Sequence, residues 1–240
     1  MLAILLHRFE SVDRNDPYNC DRSVLEQLIA VLGVDNYVNP GEFASLFCTD
    51  GWFITVDDGN ETDLSLAEYL AGLNLSAVFF INPGLIGQPG SATINELKSI
   101  VELGHHVANH TFTHENLISL SKKEIFEQII LAKKWMEKNN FSELEFFAYP
   151  WGRNNFLIRR IVKKAGYPMA FGVTGRKFGK NSPKMCLPRF TISSSFDVAA
   201  LETLMIRRNF SQFESLIRES FRIFQTLKAR MKRDLAPNNF

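Results

Sequence analysis

Cysteine is scarce in this chain: Cys20, Cys48 and Cys186 are an odd set of 3 with no CxxC spacing. Such a set excludes a disulfide framework and suits a reducing compartment. An excess of one charge is also lacking. With 27 Lys+Arg against 26 Asp+Glu, the net charge is +1, which is no footprint of a dedicated nucleic-acid binder. Long apolar runs are missing too. The N-terminal run from Leu2 stops at Leu6, before His7 and Arg8. It is too short for a signal-peptide core, lacks a basic leader, and falls far below the roughly 20 residues that span a bilayer. The expectation is a cytoplasmic protein without a transmembrane segment.

At 45% hydrophobic and 22% charged residues over 240 positions, the composition is that of a globular domain. The 21 phenylalanines are the one excess and are expected to fill a large core. Short apolar runs alternate with longer amphipathic stretches, the pattern of an α/β fold with a parallel sheet. Strands are predicted over 3–6, 52–56, 77–81, 106–109, 145–149, 169–173 and 189–192. Helices are predicted over 21–32, 63–72, 93–103, 121–138 and 154–165. Thr93 with Glu96, and Ser121 with Glu124, have capping-box spacing. Residues 175–188 read as a loop, and 196–208 and 211–232 as helices. No composition shift splits the chain, so residues 1–240 are read as one domain. Six or seven βα units suit a barrel or a doubly wound sheet.

Polar residues gather where strands end. His7 follows the first strand, Asp57 and Asp58 the second, His110 and His114 the fourth, and Pro150–Gly152 the fifth. In a parallel α/β fold these ends share one face, where active sites are built. His110 and His114 are spaced i and i+4, and on a helical turn both rings would share one face. Two imidazoles and one carboxylate make a three-ligand metal site with open positions. The adjacent aspartates, placed after the strand, could then divide labour. One binds the metal and the other takes a proton from an activated water. A non-haem iron triad is a second reading of the same donors.

Several segments together resemble a known family. Thr55-Val56-Asp57-Asp58-Gly59 resembles the TFDDG motif of the polysaccharide deacetylases (carbohydrate esterase family four, the NodB-type domain). His110-Thr111-Phe112-Thr113-His114 resembles their H-[ST]-x-x-H motif, about 50 residues on. Gly104-His105-His106-Val107-Ala108-Asn109 is similar to the GHEVGNH lead-in, and Ala77-Val78-Phe79-Phe80-Ile81 to the ATFFV strand. Phe147-Ala148-Tyr149-Pro150-Trp151-Gly152 resembles the third motif, R-x-P-x-G.

The resemblance implies an irregular (β/α)7 barrel and a metal-dependent deacetylase acting on an N-acylated sugar or glycoconjugate in surface glycan synthesis. It implies Asp57 as catalytic base, and Asp58, His110 and His114 as ligands of one divalent ion. Zinc is expected, with nickel, cobalt and iron(II) as alternatives. The backbone N–H of Trp151 is implied in the oxyanion hole, and Tyr149, Pro150 and Trp151 in substrate binding. No histidine follows His114, so the general acid of many relatives is absent from its usual place. Leu5-Leu6-His7-Arg8-Phe9 is similar to the first-strand motif of the poly-N-acetylglucosamine deacetylase branch, which makes His7 the general acid. Ala148 stands where the third motif has arginine, and Arg189 or Arg153 is expected to replace that charge. The gap also leaves open a non-catalytic, glycan-binding or regulatory barrel.

His105 and His106 read as structural. Trp151 could stack on a sugar or simply pack. Residues 201–240 carry a net charge of +4. An amphipathic basic helix at about 210–233 would pack on the barrel or touch a membrane surface peripherally.

Overall fold

The computed structural model describes residues 1–13, 16–42, 51–141 and 146–198. The predicted helix at 196–208 beyond Val198, and the basic helix at about 210–233, lie outside the described residues.

Seven parallel strands form the core sheet: β1 (Leu2–Leu6), β4 (Trp52–Asp58), β5 (Ala77–Ile81), β6 (His106–Asn109), β7 (Phe146–Ala148), β8 (Met169–Phe171) and β9 (Phe190–Thr191). Their spatial order is β8-β7-β6-β5-β4-β1-β9. Two short strands, β2 (Arg8–Phe9) and β3 (Asn19–Cys20), pair beside this sheet. The helices α1 (Arg22–Leu32), α2 (Asp63–Gly72), α3 (Ile94–Glu102), α4 (Lys122–Lys138) and α5 (Phe156–Lys164) connect successive core strands. Phe171 bridges Leu187, just before β9, and the sheet curls round towards that seam. The result is the distorted, half-barrel form of the expected irregular (β/α)7 barrel.

Strand alternation decides which residues face inward. Leu2, Ile4, Leu6, Trp52, Ile54, Val56, Phe79 and Ile81 pack in one large cluster with residues of α1, α2 and α3. Ala3, Phe53, Val78, Phe80, Ala108, Ala148 and Phe171 fill the barrel interior. Aromatics do much of the filling among the described residues, with Phe53, Phe79, Phe80, Phe147 and Phe171 all buried. Both predicted capping boxes form: the Thr93 and Ser121 hydroxyls accept the Glu96 and Glu124 backbone N–H groups, and each glutamate reaches back. These caps fix the starts of α3 and α4, and with them the paths of the chain into β6 and β7.

Two local expectations need correction. The second core strand runs on through Asp58 rather than stopping at Val56, because Asp57 and Asp58 still pair with Phe80 and Ile81 of β5. The 175–188 loop contains a short 3-10 turn at Lys184–Cys186. No helix among the described residues is long and apolar enough to cross a membrane.

Candidate metal centre

The ends of β1, β4, β6 and β7 converge on one cluster. Asp57 continues the inward phase of Phe53 and Thr55, so its carboxylate enters the barrel and is only 3% exposed. Asp58 would face the helices if the strand stayed regular. It instead takes φ 86, and its carboxylate lies beside the two histidines. The adjacent carboxylates thus separate within the strand's last residues, not after its end.

The segment after β6 is not the helical turn that the i, i+4 spacing suggested. Thr111 has φ 71 and His114 has φ 58, and the chain between them bends without helical hydrogen bonding. A β-branched residue at positive φ is strained, by about 1–3 kcal/mol. Side-chain amides hold the loop in place. Asn82 Nδ2 donates to the His110 and Thr111 carbonyls, and Asn109 Oδ1 accepts the Thr111 N–H at 2.8 Å. Gln128 Oε1 accepts the N–H groups of Phe112 and Thr113 at 3.0 and 2.9 Å. This scaffold was not legible in the motif, because its members come from β5, β6 and α4.

Asp58 Oδ1 lies 3.5 Å from His110 Nε2 and 3.2 Å from His114 Nε2. Ligands around a tetrahedral ion with bonds of about 2.0–2.2 Å lie roughly 3.3–3.6 Å apart. The oxygen is buried and has no hydrogen-bond partner among the described residues, a state that a cation would relieve. His110 Nδ1 donates to the Ala148 carbonyl at 2.9 Å, which leaves Nε2 as the lone-pair nitrogen facing the cluster. Asp58, His110 and His114 therefore fit a divalent metal.

The electrostatics agree with that fit. Burial pushes the Asp58 carboxyl up, but the adjacent His110 and the charges of His114 and His7 outweigh burial, and its pKa falls below the ordinary value. Burial and the neighbouring His110 push His114 down to about 4, so it is neutral at pH 7, as a ligand must be. For His110, burial acts downward but Asp57 and Asp58 prevail, and its pKa rises.

Asp57 is held by Arg189. Nη1 and Nη2 of the guanidinium donate to its two carboxylate oxygens at 2.6 and 2.7 Å. Arg189 is fully buried. It also donates to the Gly172 carbonyl and to Thr55 Oγ1, and lies over the Phe80 ring. Burial raises the Asp57 carboxyl, yet Arg189 first and His110 next bring its pKa below the ordinary value. Of the two candidates for the missing charge, Arg189 pairs with Asp57 and Arg153 is exposed. Ala148 packs in the barrel interior, where the third motif has its arginine.

The other predicted residues divide. Half-buried His7 lies at the end of β1, with its ring edge on Tyr18 at 4.9 Å. Burial lowers its pKa despite the opposing charges of Asp58 and Asp57. Trp151 is 37% exposed and packs edge-on against His114 at 4.5 Å. Its own φ is 53 and that of Gly152 is 67, so the Pro150–Gly152 segment turns sharply beside His114. Tyr149 and Pro150, expected as substrate contacts, are both buried. The Tyr149 side chain is fully buried beside Phe147, and its hydroxyl donates to the Met185 carbonyl. Pro150 is buried as well. His105 is structural, as expected: Nδ1 accepts the Ala77 N–H and Nε2 donates to the Ala67 carbonyl. Sequence reasoning missed Tyr18 and Asn60, the latter directly after the Asp57-Asp58-Gly59 motif.

Comparison with known proteins places this geometry. The profile of the polysaccharide deacetylase family matches residues 48–170. A peptidoglycan-N-acetylglucosamine deacetylase of Bacillus cereus is 29% identical over 101 residues, 41% of this chain and 35% of that protein. A poly-beta-1,6-N-acetyl-D-glucosamine N-deacetylase of Staphylococcus aureus is 26% identical over 156 residues, 59% of this chain and 54% of that one. These alignments span about a third to about half of the relatives' own length. Among solved structures, the Streptococcus pyogenes deacetylase PplD in complex with acetate superposes with a TM-score of 0.76 at 17% identity, covering 85% of this chain and 97% of that one. IcaB from Ammonifex degensii superposes with a TM-score of 0.71 at 17% identity, covering 85% and 96%. With the family profile spanning half of the sequence and the barrel shared with these structures, the chain belongs to the polysaccharide deacetylase family, carbohydrate esterase family four.

Proposed function

We propose that the protein is a metal-dependent hydrolase that removes an N-acyl group, most simply acetyl, from an amino sugar or sugar conjugate used in surface glycan synthesis. The observation that carries this reading is the pairing of two unlike carboxylates at one barrel rim. Asp58 faces two imidazole nitrogens, while Asp57, 3.6 Å from His110, is clamped by Arg189. One suits a metal ligand and the other a general base.

Asp58, His110 and His114 would hold the ion. A divalent ion, zinc by preference, would supply Lewis acidity toward the amide carbonyl and toward a water. Asp57 is ionised across the neutral range and accepts the attacking water's proton on a carboxylate oxygen. Arg189 keeps this carboxylate oriented. The backbone N–H of Trp151 donates to the developing oxyanion, a contribution of the kind worth about 3–4 kcal/mol. His7, at the first strand's end, protonates the departing nitrogen. This role fits the branch with the catalytic histidine on the first strand. The amino-sugar substrate draws support from the names of the Bacillus cereus and Staphylococcus aureus relatives. The Arg189 clamp on Asp57 supports the catalytic reading over a non-catalytic barrel.

Elemental mass spectrometry on the purified protein, with Asp58→Ala and Asp57→Asn beside it, tests the reading. The wild type should carry about one divalent ion per chain and release acetate from β-linked N-acetylglucosamine oligomers. Asp58→Ala should lose the ion, and Asp57→Asn should keep it and lose turnover. Full activity in Asp57→Asn would overturn the assignment.

A further inference from the structure

Beyond the residues that would touch the substrate, the geometry points to Asn60 as a positioning residue that sets His7 relative to Asp57. This inference rests on the proposed roles of those two residues.

The ladder between β1 and β4 has its last pair at Leu6 and Val56. One step further on, His7 and Asp57 carry backbone carbonyls into the gap between the strands. Asn60 Nδ2 donates to both, to His7 at 3.0 Å and to Asp57 at 3.0 Å. One side-chain amide therefore ties the backbone of the proposed acid to that of the proposed base. The orientation of the amide is dictated by chemistry: Arg8 Nε, which can only donate, points at Asn60 Oδ1 at 3.3 Å, so the amide's nitrogen faces the two carbonyls. Arg8 is itself anchored by Asp16 at 2.6 Å, and the Asn60 backbone N–H is held by Asp63. Asn60 is 7% exposed, so water does not readily replace its two donors.

The two tethers are unequal in consequence. Asp57 has a second and stronger anchor in the bidentate Arg189 pair, built on β9's side of the sheet. Loss of Asn60 should therefore disturb His7 far more than Asp57. The chemistry offers a readout that mere loosening of the fold would not produce. When the C–N bond of an N-acetyl amide breaks, the nitrogen must receive a proton to leave as an amine. When the C–O bond of 4-nitrophenyl acetate breaks, the phenolate leaves as a stable anion and needs none. A defect confined to the acid slows the first reaction and spares the second.

The experiment compares wild type, Asn60→Ala, Asn60→Ser, His7→Ala and the Asn60→Ala/His7→Ala double variant. All are loaded with zinc, and the metal content of each is measured. Expected for Asn60→Ala is a fall of roughly 10–100-fold in kcat on the N-acetylated oligomer. KM should stay within about twofold, ester turnover within about threefold, and the zinc content at about one per chain. Asn60→Ser retains one hydroxyl donor and should lie between; it carries the test if the alanine variant does not fold. In the His7→Ala background, Asn60→Ala should add little. Parallel loss of amide and ester turnover with zinc retained, no loss in either, or simple additivity in the double variant would overturn the inference. An unselective His7→Ala would instead overturn His7 as the acid. A zinc-loaded wild type inert toward both substrates would overturn the proposed function itself and, with it, this inference.

Discussion

Replacing Arg189 with alanine tests the most consequential interaction in the structure. The guanidinium is fully buried, and its partner Asp57 is 3% exposed. Two short parallel hydrogen bonds join them. Removal of one member of such a pair strands the other charge in a low-dielectric interior, at a cost of about 3–5 kcal/mol. For a domain of this size each kcal/mol shifts Tm by about 2–4 °C, so the variant should melt roughly 6–20 °C lower. Thermal unfolding should be followed with a chelator present, because metal that binds only the folded state would mask the loss. Arg189→Lys should fall between, since it keeps the charge but not the planar fork. Asp57→Asn alone leaves Arg189 uncompensated and should also destabilise. The Arg189→Ala/Asp57→Asn double variant should cost clearly less than the two singles together, because no buried charge remains. Turnover should respond as well. With Arg189 gone, burial is the largest remaining influence on Asp57, and its pKa should move up, so the acidic limb of the rate profile shifts to higher pH. A single-variant cost below about 1 kcal/mol, or additivity within about 0.5 kcal/mol in the double variant, would refute the idea that a buried, paired charge holds the base.

Metal binding should weaken on acidification. The His110 pKa is raised, so in the metal-free protein its imidazolium is stabilised at low pH, and that stabilisation disappears as pH rises through the raised value. A metal must displace that proton, whereas His114, at about 4, is already neutral near pH 7. Calorimetry in buffers of different ionisation enthalpy should find about one proton released per ion just below neutral pH. Affinity should be level above the raised His110 value, and no release at pH 6 would contradict the assignment. Gly152→Ala should disrupt the turn that carries Trp151, because an added Cβ would meet the Val173 nitrogen at 2.5 Å where φ is +67. A stability loss of about 1–3 kcal/mol is expected, with turnover lost and metal retained. Gly87→Ala, at φ +82 with open space around it, is the control that carries strain alone. Turnover of Gly152→Ala within twofold of wild type would remove the turn from the oxyanion site.

Much of this architecture is written in local stretches of sequence. Thr93 with Glu96 and Ser121 with Glu124 announce helix starts, because a capping box needs only side chains three residues apart. The Ala77–Ile81 and His106–Asn109 strands and the Asp63–Gly72 helix form at the predicted bounds, since their periodicities differ and nothing distant overrides them. The motif pair at Asp57-Asp58 and His110–His114 named the donors of the candidate metal site for a similar reason: the chemistry is carried by residue type.

How those donors meet was not legible. Spacing placed the histidines on a helical turn, whereas Thr111 and His114 adopt left-handed conformations that amides from three other elements hold in place. Arg189 reaches Asp57 across 132 residues of chain, and Asn60 reaches His7 across 53. Tyr149, next to a motif position, turned into the core because its ring and hydroxyl found partners there. Sequence alone determined which side chains could ligate, cap or turn, since those capacities belong to the residue and its near neighbours. Only the curled sheet decided which carboxylate faces the metal cluster and which the guanidinium. That choice depends on strand phase and on contacts between distant strand ends, which exist once the barrel has formed.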